Sequence, residues 1–170
     1  MRARRTRQSE ADLTPTFRKM TKADAPAATA LLRAFLAEDE FYLDSGAAYG
    51  DMTGGQGVAA AVELFLTRPE LGFIWLALRD GKAAGCCIIC YAISTSIGGL
   101  VGKLDDVFVA DGARGQGIGS AMLDALAAAL KQEGVGRIDT AVHHKNSEAA
   151  RFYARLGFKA LNEERLAKVL

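Results

Sequence analysis

One stretch constrains the fold more than any other: "KLDDVFVADGARGQGIGSAMLDALAAALKQEG", residues 103 to 134. A strand-like run, "KLDDVFV", enters a loop carrying three glycines, and a helical run, "SAMLDALAAALKQEG", leaves it. Met122, Leu123, Leu126 and Leu130 recur at helical spacing, and Gly134 supplies a stop. A strand feeding a helix in this way implies a sheet with helices packed on it. The loop itself, Arg114 to Gly119, alternates Gly115, Gly117 and Gly119 with other residues. The first N–H groups of a helix lack intrahelical partners, and with the helix dipole they attract anions. Glycines let a phosphate approach those groups, Arg114 adds a planar cation and Ser120 a hydroxyl. Spacing alone leaves two readings open, a diphosphate cradle and a turn that merely permits tight strand–helix packing.

The remaining elements follow from pattern. "TFRKM" reads as a short strand and "TKADAPAATALLRAFLAED" as a helix, with Thr21 and Asp24 as a capping box and Pro26 near the helix start. "VAAAVELFLTR" is a second helix, stopped before Pro69. "GFIWLALRD" and "KAAGCCIICYAI" are strands joined at Asp80–Gly81, and Gly98–Gly99 marks the next turn before "KLDDVFV". Beyond the glycine loop and its helix come a strand "GRIDTAVH", a helix "SEAARFYARLGF" ended by Gly157, and a final strand "ERLAKVL". The order, a strand, two helices, an antiparallel meander and then β-α-β-α-β, is a mixed α/β or α+β sheet.

The 170 residues fit one domain, spanning 15–170, behind a disordered basic tail, 1–14, with Arg2, Arg4, Arg5 and Arg7. A net charge of +1 excludes a general nucleic-acid charge excess, so a nucleic-acid role for the arginine tail is disfavoured. The longest apolar run, Ala83 to Ile93, is too short to span a bilayer, and no apolar segment follows the N-terminal arginines. A cytoplasmic protein without membrane or nucleic-acid partners is expected. Three cysteines, Cys86, Cys87 and Cys90, give no disulfide framework. Cys87 and Cys90 sit three apart on a strand and face opposite ways, so they form no metal pair and read as core residues. His143 and His144 are read as rim or structural residues, since adjacent strand residues also point apart.

The loop lacks the lysine of a Walker motif. Its G-x-G-x-G spacing departs from the dinucleotide G-x-G-x-x-G pattern, although Asp139 lies where a ribose-binding acid is expected, so a dinucleotide-binding protein is kept as an alternative. The residues resemble the GNAT N-acetyltransferases. The pattern [QR]-x-x-G-x-[GA] is met by Arg114-Gly115-Gln116-Gly117-Ile118-Gly119. A second pattern, Asn-x-x-Ala-x-x-x-Tyr-x-x-x-Gly-Phe, is met by Asn146, Ala149, Tyr153, Gly157 and Phe158. The resemblance implies a twisted, mostly antiparallel sheet with a splayed parallel strand pair and about four helices.

It also implies acetyl-CoA as cosubstrate, no metal, and an acetyl group passed to a primary amine by direct attack in a ternary complex. Its pyrophosphate would lie on Arg114, Gly115, Gln116, Gly117, Ile118, Gly119 and Ser120. Backbone groups of Val107, Phe108 and Val109 would pair with the pantetheine arm, the Val109 N–H facing the thioester carbonyl, and Asn146 would bind the pantetheine end. Tyr153 matches the family's general acid. The chain is also somewhat similar to spermidine/spermine-type acetyltransferases, a likeness that places Asp105 on the substrate side as the candidate carboxylate that takes the amine proton or positions the amine, and strand alternation gives it a face shared with Val107 and Val109. In the same comparison Glu38, Asp39 and Glu40 would attract a cationic amine. A homodimer is the default expectation from such relatives. A non-catalytic acyl-CoA-binding module is the competing class, and it needs neither Asp105 nor Tyr153.

Overall fold

In the computed structural model, which describes residues 14–38, 41 and 56–168, strand β2 (Gly72–Arg79) is buried from Gly72 through Leu78. Phe73, Trp75 and Ala77 point into one apolar cluster, and Ile74, Leu76 and Leu78 into a second on the opposite face. A strand buried on both faces must lie inside a sheet covered on both sides. The five strands are β1 (Thr16–Lys19), β2, β3 (Lys82–Ser94), β4 (Gly99–Val109) and β5 (Ile138–Thr140), ordered β1-β2-β3-β4-β5. The first four pair antiparallel; β4 and β5 are parallel.

Local chemistry sets the turns. Asp80 and Gly81 both take positive φ, 51° and 71°, the two-residue turn whose twist suits a hairpin. Gly98, at φ 72°, closes the next turn through its N–H to the Ser94 carbonyl, 2.8 Å. Strand β4 therefore starts at Gly99, four residues before the run "KLDDVFV" that marked it in the sequence. At Gly72 the backbone has φ 149°, and a Cβ there would lie 1.9 Å from the Ile89 carbonyl oxygen. Only glycine lets β2 lie this close to β3.

Helices α1 (Ala25–Glu38) and α2 (Gln56–Thr67) cover one face, through Ala28, Leu31, Leu32, Val58 and Val62. The entry to α1 is tied by Asp24, whose carboxylate accepts from the Thr21 N–H at 2.8 Å and the Thr21 hydroxyl at 2.6 Å. Arg18 adds two further bonds to it, at 2.6 and 3.0 Å. Helix α3 (Ile118–Gln132) covers the other face with Ile118, Met122, Leu123, Leu126 and Leu130, and Gly134 ends it at φ 79°. Burying those five side chains is worth roughly 1.5–3 kcal/mol each, which fixes the loop in front of α3 to the sheet. Helix α4 (Ser147–Arg155) and the residue after it add Phe152, Tyr153 and Leu156 to the same cluster.

Two expectations change. The strand after α3 forms a ladder only over Ile138–Thr140, shorter than residues 136–143. Residues 164–168 form no strand; this charged stretch leaves Leu166 88% exposed, with no apolar face to dock. Residues 1–13 of the 1–14 basic tail, and residues 42–55, lie outside the described residues.

Candidate active site

The site begins with an interruption in β4. Phe108 pairs with Cys86 and Asp105 with Ile88, so β4 carries one residue more than β3 between those points. The extra residue forms a bulge, and Asp106 there has φ 52°, a region an aspartate tolerates better than most side chains. The bulge resets alternation: Leu104, Val107 and Val109 all pack with the α3–α4 cluster, and Phe108 packs with the α1–α2 cluster. Asp105 therefore does not share a face with Val107 and Val109, as plain alternation predicts. Its register partner Ile88 belongs to the α1–α2 cluster.

On its other edge β4 pairs with β5 only over Gly102, Lys103 and Leu104. Past Leu104 the ladder stops because β5 ends at Thr140, so the edge of β4 from Asp105 to Val109 has no ladder partner on that side among the described residues. The Thr140 hydroxyl donates to the Leu104 carbonyl at 3.0 Å where the ladder ends.

The glycine loop follows directly. Gly115 and Gly117 have φ 72° and 76°, with open space where a Cβ would stand. Gly117 is the N-cap of α3 and makes no side-chain cap, so the first N–H groups of the helix face the loop. Gly119 differs: a Cβ there would meet Phe152 and Val109 side chains at 3.6 Å. Gly115 and Gly117 thus hold backbone conformations that favour glycine, whereas a side chain at Gly119 would make only ordinary contacts with α4 and β4. Arg114 is half-exposed and held on one side. Its Nε donates to the Val109 carbonyl at 2.7 Å, it pairs with Asp111 at 2.6 Å, and it lies over the Phe108 ring at 5.1 Å. The Gln116 amide donates to the Gly112 carbonyl at 3.1 Å and its oxygen accepts from Arg79.

Tyr153 stands beside the end of that ladder. Its ring meets Phe152 and Phe158 edge-on, each at 5.3 Å, and its side chain contacts Thr140. Burial first, then the charges of Cys87, Asp105 and Asp106, push its phenol up to about 12, with the Thr140 contact drawing it back. Asn146 caps α4, its Oδ1 accepting from the Ala149 N–H at 2.9 Å. Across the sheet, Asp105 pairs with Lys103 at 3.1 Å and Arg165 at 3.8 Å. Glu38 ends α1; its side chain and residues 39 and 40 lie outside the described residues.

The comparisons fit this geometry. The model of the acetyltransferase (GNAT) family matches residues 28–158. The chain belongs to the GNAT acetyltransferase family. An integron cassette protein from the mobile metagenome of Cole Harbour Salt Marsh superimposes with a TM-score of 0.72 at 26% identity, covering 91% of this chain and 90% of its own. A possible acetyltransferase from Clostridium difficile 630 gives 0.78 at 14% identity, with 92% and 97% covered. A predicted acetyltransferase from Clostridium acetobutylicum, solved with acetyl-CoA, gives 0.66 at 18% identity, with 91% and 96% covered.

Within this GNAT domain the sheet settles other readings. It is antiparallel apart from β4–β5, and Asp139 is held by Arg137 through bonds of 2.6 and 2.9 Å, which removes the acid that favoured a dinucleotide site. Cys87 lies in the α3–α4 cluster, while Cys86 and Cys90 lie on the α1–α2 side. Burial, with Asp106 nearby, pushes the Cys86 thiol up to about 12, and burial raises Cys87 well above its ordinary range, so neither is a ready nucleophile. His143 and His144 do not point apart: the strand ends at Thr140, and their rings stack at 4.5 Å, with Phe41 against His143 at 5.2 Å. Two features escape a reading of the sequence. The bulge carries no glycine to mark it, and Arg79, distant in sequence from Arg114, reaches the loop from the end of β2.

Proposed function

We propose that the chain is an acetyl-CoA-dependent N-acetyltransferase that acetylates a primary amine of a small molecule by direct attack in a ternary complex. The observation that carries this reading is the edge of β4 left unpaired beyond Leu104, where its ladder with β5 ends, ahead of the Gly115–Gly117 loop and the open N-terminus of α3. An unpaired strand edge offers N–H and C=O groups to an extended amide-bearing chain. The helix N-terminus beyond it suits a diphosphate. Pantetheine diphosphate has those two parts in that order. Val107, Phe108 and Val109 would receive the pantetheine arm, the Val109 N–H would meet the thioester carbonyl as charge develops there, and Gly115 through Ser120 would receive the diphosphate. Asn146 holds the end of α4 beside the arm.

The amine attacks the thioester carbonyl once it has lost a proton, and the carbon–sulfur bond then breaks. Tyr153 donates a hydrogen bond to the departing sulfur. With the phenol at about 12 and a thiol near 8.5, full proton transfer is uphill by roughly 5 kcal/mol. The hydrogen bond to the developing thiolate is therefore the event that lowers the barrier. Asp105 faces the α1–α2 side and attracts the cationic acceptor, with its neighbour Lys103 limiting how strongly. The acceptor proton leaves to Asp105 or to water. Mixing the protein with acetyl-CoA and a panel of amines, and following free thiol release, tests this. Thiol release that depends on an amine supports the reading; binding of acetyl-CoA without transfer to any amine points instead to a non-catalytic acyl-CoA module.

A further inference from the structure

The sequence offers Arg114 as the cation of the glycine loop, but its guanidinium is engaged by the Val109 carbonyl and Asp111 and lies over the Phe108 ring. Another arginine arrives from elsewhere in the fold. Arg79 is the last residue of β2 and continues the face of Phe73, Trp75 and Ala77, the face that α3 covers. Because α3 starts over that face, a side chain at position 79 reaches its N-terminal loop. There Arg79 donates through Nη1 to the Gln116 oxygen, and the Gln116 amide is anchored on the Gly112 carbonyl. Gln116 sits between the two glycines of positive φ. Arg79 is partly buried and its bonded partner, the Gln116 oxygen, is neutral, so that bond does not cancel its charge.

We infer that Arg79 is a phosphate-binding residue of the cosubstrate site, positioned by Gln116 and contributing a cation to the loop from outside it. The inference rests on the acetyl-CoA reading above and adds to it a residue that lies outside both sequence motifs. A guanidinium carries five donors in a planar fork, so one bond to Gln116 leaves others for phosphate oxygens. Two phosphates of CoA offer the same chemistry, the diphosphate and the 3′-phosphate.

The test is calorimetric titration of wild type, R79Q and R79K with CoA, dephospho-CoA and pantetheine, at low and high salt. R79Q is expected to weaken CoA binding about tenfold, with R79K intermediate. The salt dependence of CoA binding should fall with it, and the difference between R79Q and wild type should vanish with pantetheine, which carries neither phosphate. If the loss persists with dephospho-CoA, Arg79 serves the diphosphate; if it disappears, the 3′-phosphate. Equal CoA affinity in folded R79Q and wild type would overturn the inference. Failure of the wild type itself to bind CoA would instead remove the acetyl-CoA reading, so the two failures are distinct. Matching thermal unfolding of R79Q and wild type shows that a loss of affinity is local.

Discussion

The Thr140 hydroxyl donates to the Leu104 carbonyl at 3.0 Å, and this bond stands at the last pair of the β4–β5 ladder. Below it the strands are joined; above it β5 ends and β4 runs on unpaired on that side among the described residues. Tyr153 touches Thr140 from α4, so the end of the ladder and the proposed proton donor are held by the same threonine. Replacing Thr140 by valine keeps the volume and removes the bond. It is expected to cost roughly 1 kcal/mol of stability and to lower kcat more than it raises the KM for acetyl-CoA, read by denaturant unfolding and steady-state kinetics.

Tyr153→Phe keeps the ring contacts with Phe152 and Phe158 and removes the hydroxyl. Turnover is expected to fall by about 10²-fold or more, with the KM for acetyl-CoA nearly unchanged. The phenol is protonated at every pH below its raised value, so the wild-type rate should show no alkaline loss attributable to Tyr153 up to about pH 10. Unchanged turnover in the phenylalanine variant would exclude its role as donor.

Tyr153 also links stability to pH. The folded chain holds its proton up to about 12, whereas unfolding removes the burial and the phenol returns to 10.0. The contribution is therefore complete below the unfolded value of 10.0 and is lost as pH rises from there toward 12. Unfolding free energy measured across that window should decline more steeply for wild type than for Tyr153→Phe. At the acid end the sign reverses. The Arg18 guanidinium, with Thr21, holds the Asp24 carboxyl well below its ordinary range, so its contribution is present above that range and lost on acidification.

The glycines are expected to respond differently. Gly117→Ala forces a side chain to φ 76° and should cost about 1–2 kcal/mol while weakening CoA binding. Gly119→Ala meets Phe152 and Val109 at ordinary contact distance inside a helix, and should hold CoA affinity within about threefold and stability within roughly 1 kcal/mol. Gly72→Ala meets the Ile89 carbonyl at 1.9 Å, so the strands must move apart, a loss of roughly 4 kcal/mol or more. Thermal unfolding and CoA titration of the three variants check these differences.

The features legible in the sequence are those written in short-range chemistry. Asp80–Gly81 and Gly98 make the turns expected of them, Thr21 and Asp24 tie the start of α1, and Gly134 ends α3. The two spaced motifs around Gly117 and Tyr153 pointed to the family that residues 28–158 match. Alternation fails at Asp105 because a bulge is a relation between two strands: β4 holds one residue more than β3 opposite Cys87, and nothing in β4 alone records it. Arg79 is silent for a similar reason. Its meeting with Gln116 depends on where α3 lands on the sheet, not on any spacing along the chain. The final strand fails because Leu166 finds no partner surface among the described residues, and apolar residues at intervals do not make a strand without one.

The most direct measurement is calorimetric titration of the folded protein with acetyl-CoA, with NADH as the control. The expected result is micromolar binding of acetyl-CoA, one molecule per chain, and none of NADH. A folded protein that gives no heat with acetyl-CoA would contradict the assignment of the unpaired β4 edge and the Gly115–Gly117 loop to the cosubstrate, and with it the proposed roles of Tyr153, Asp105 and Arg79.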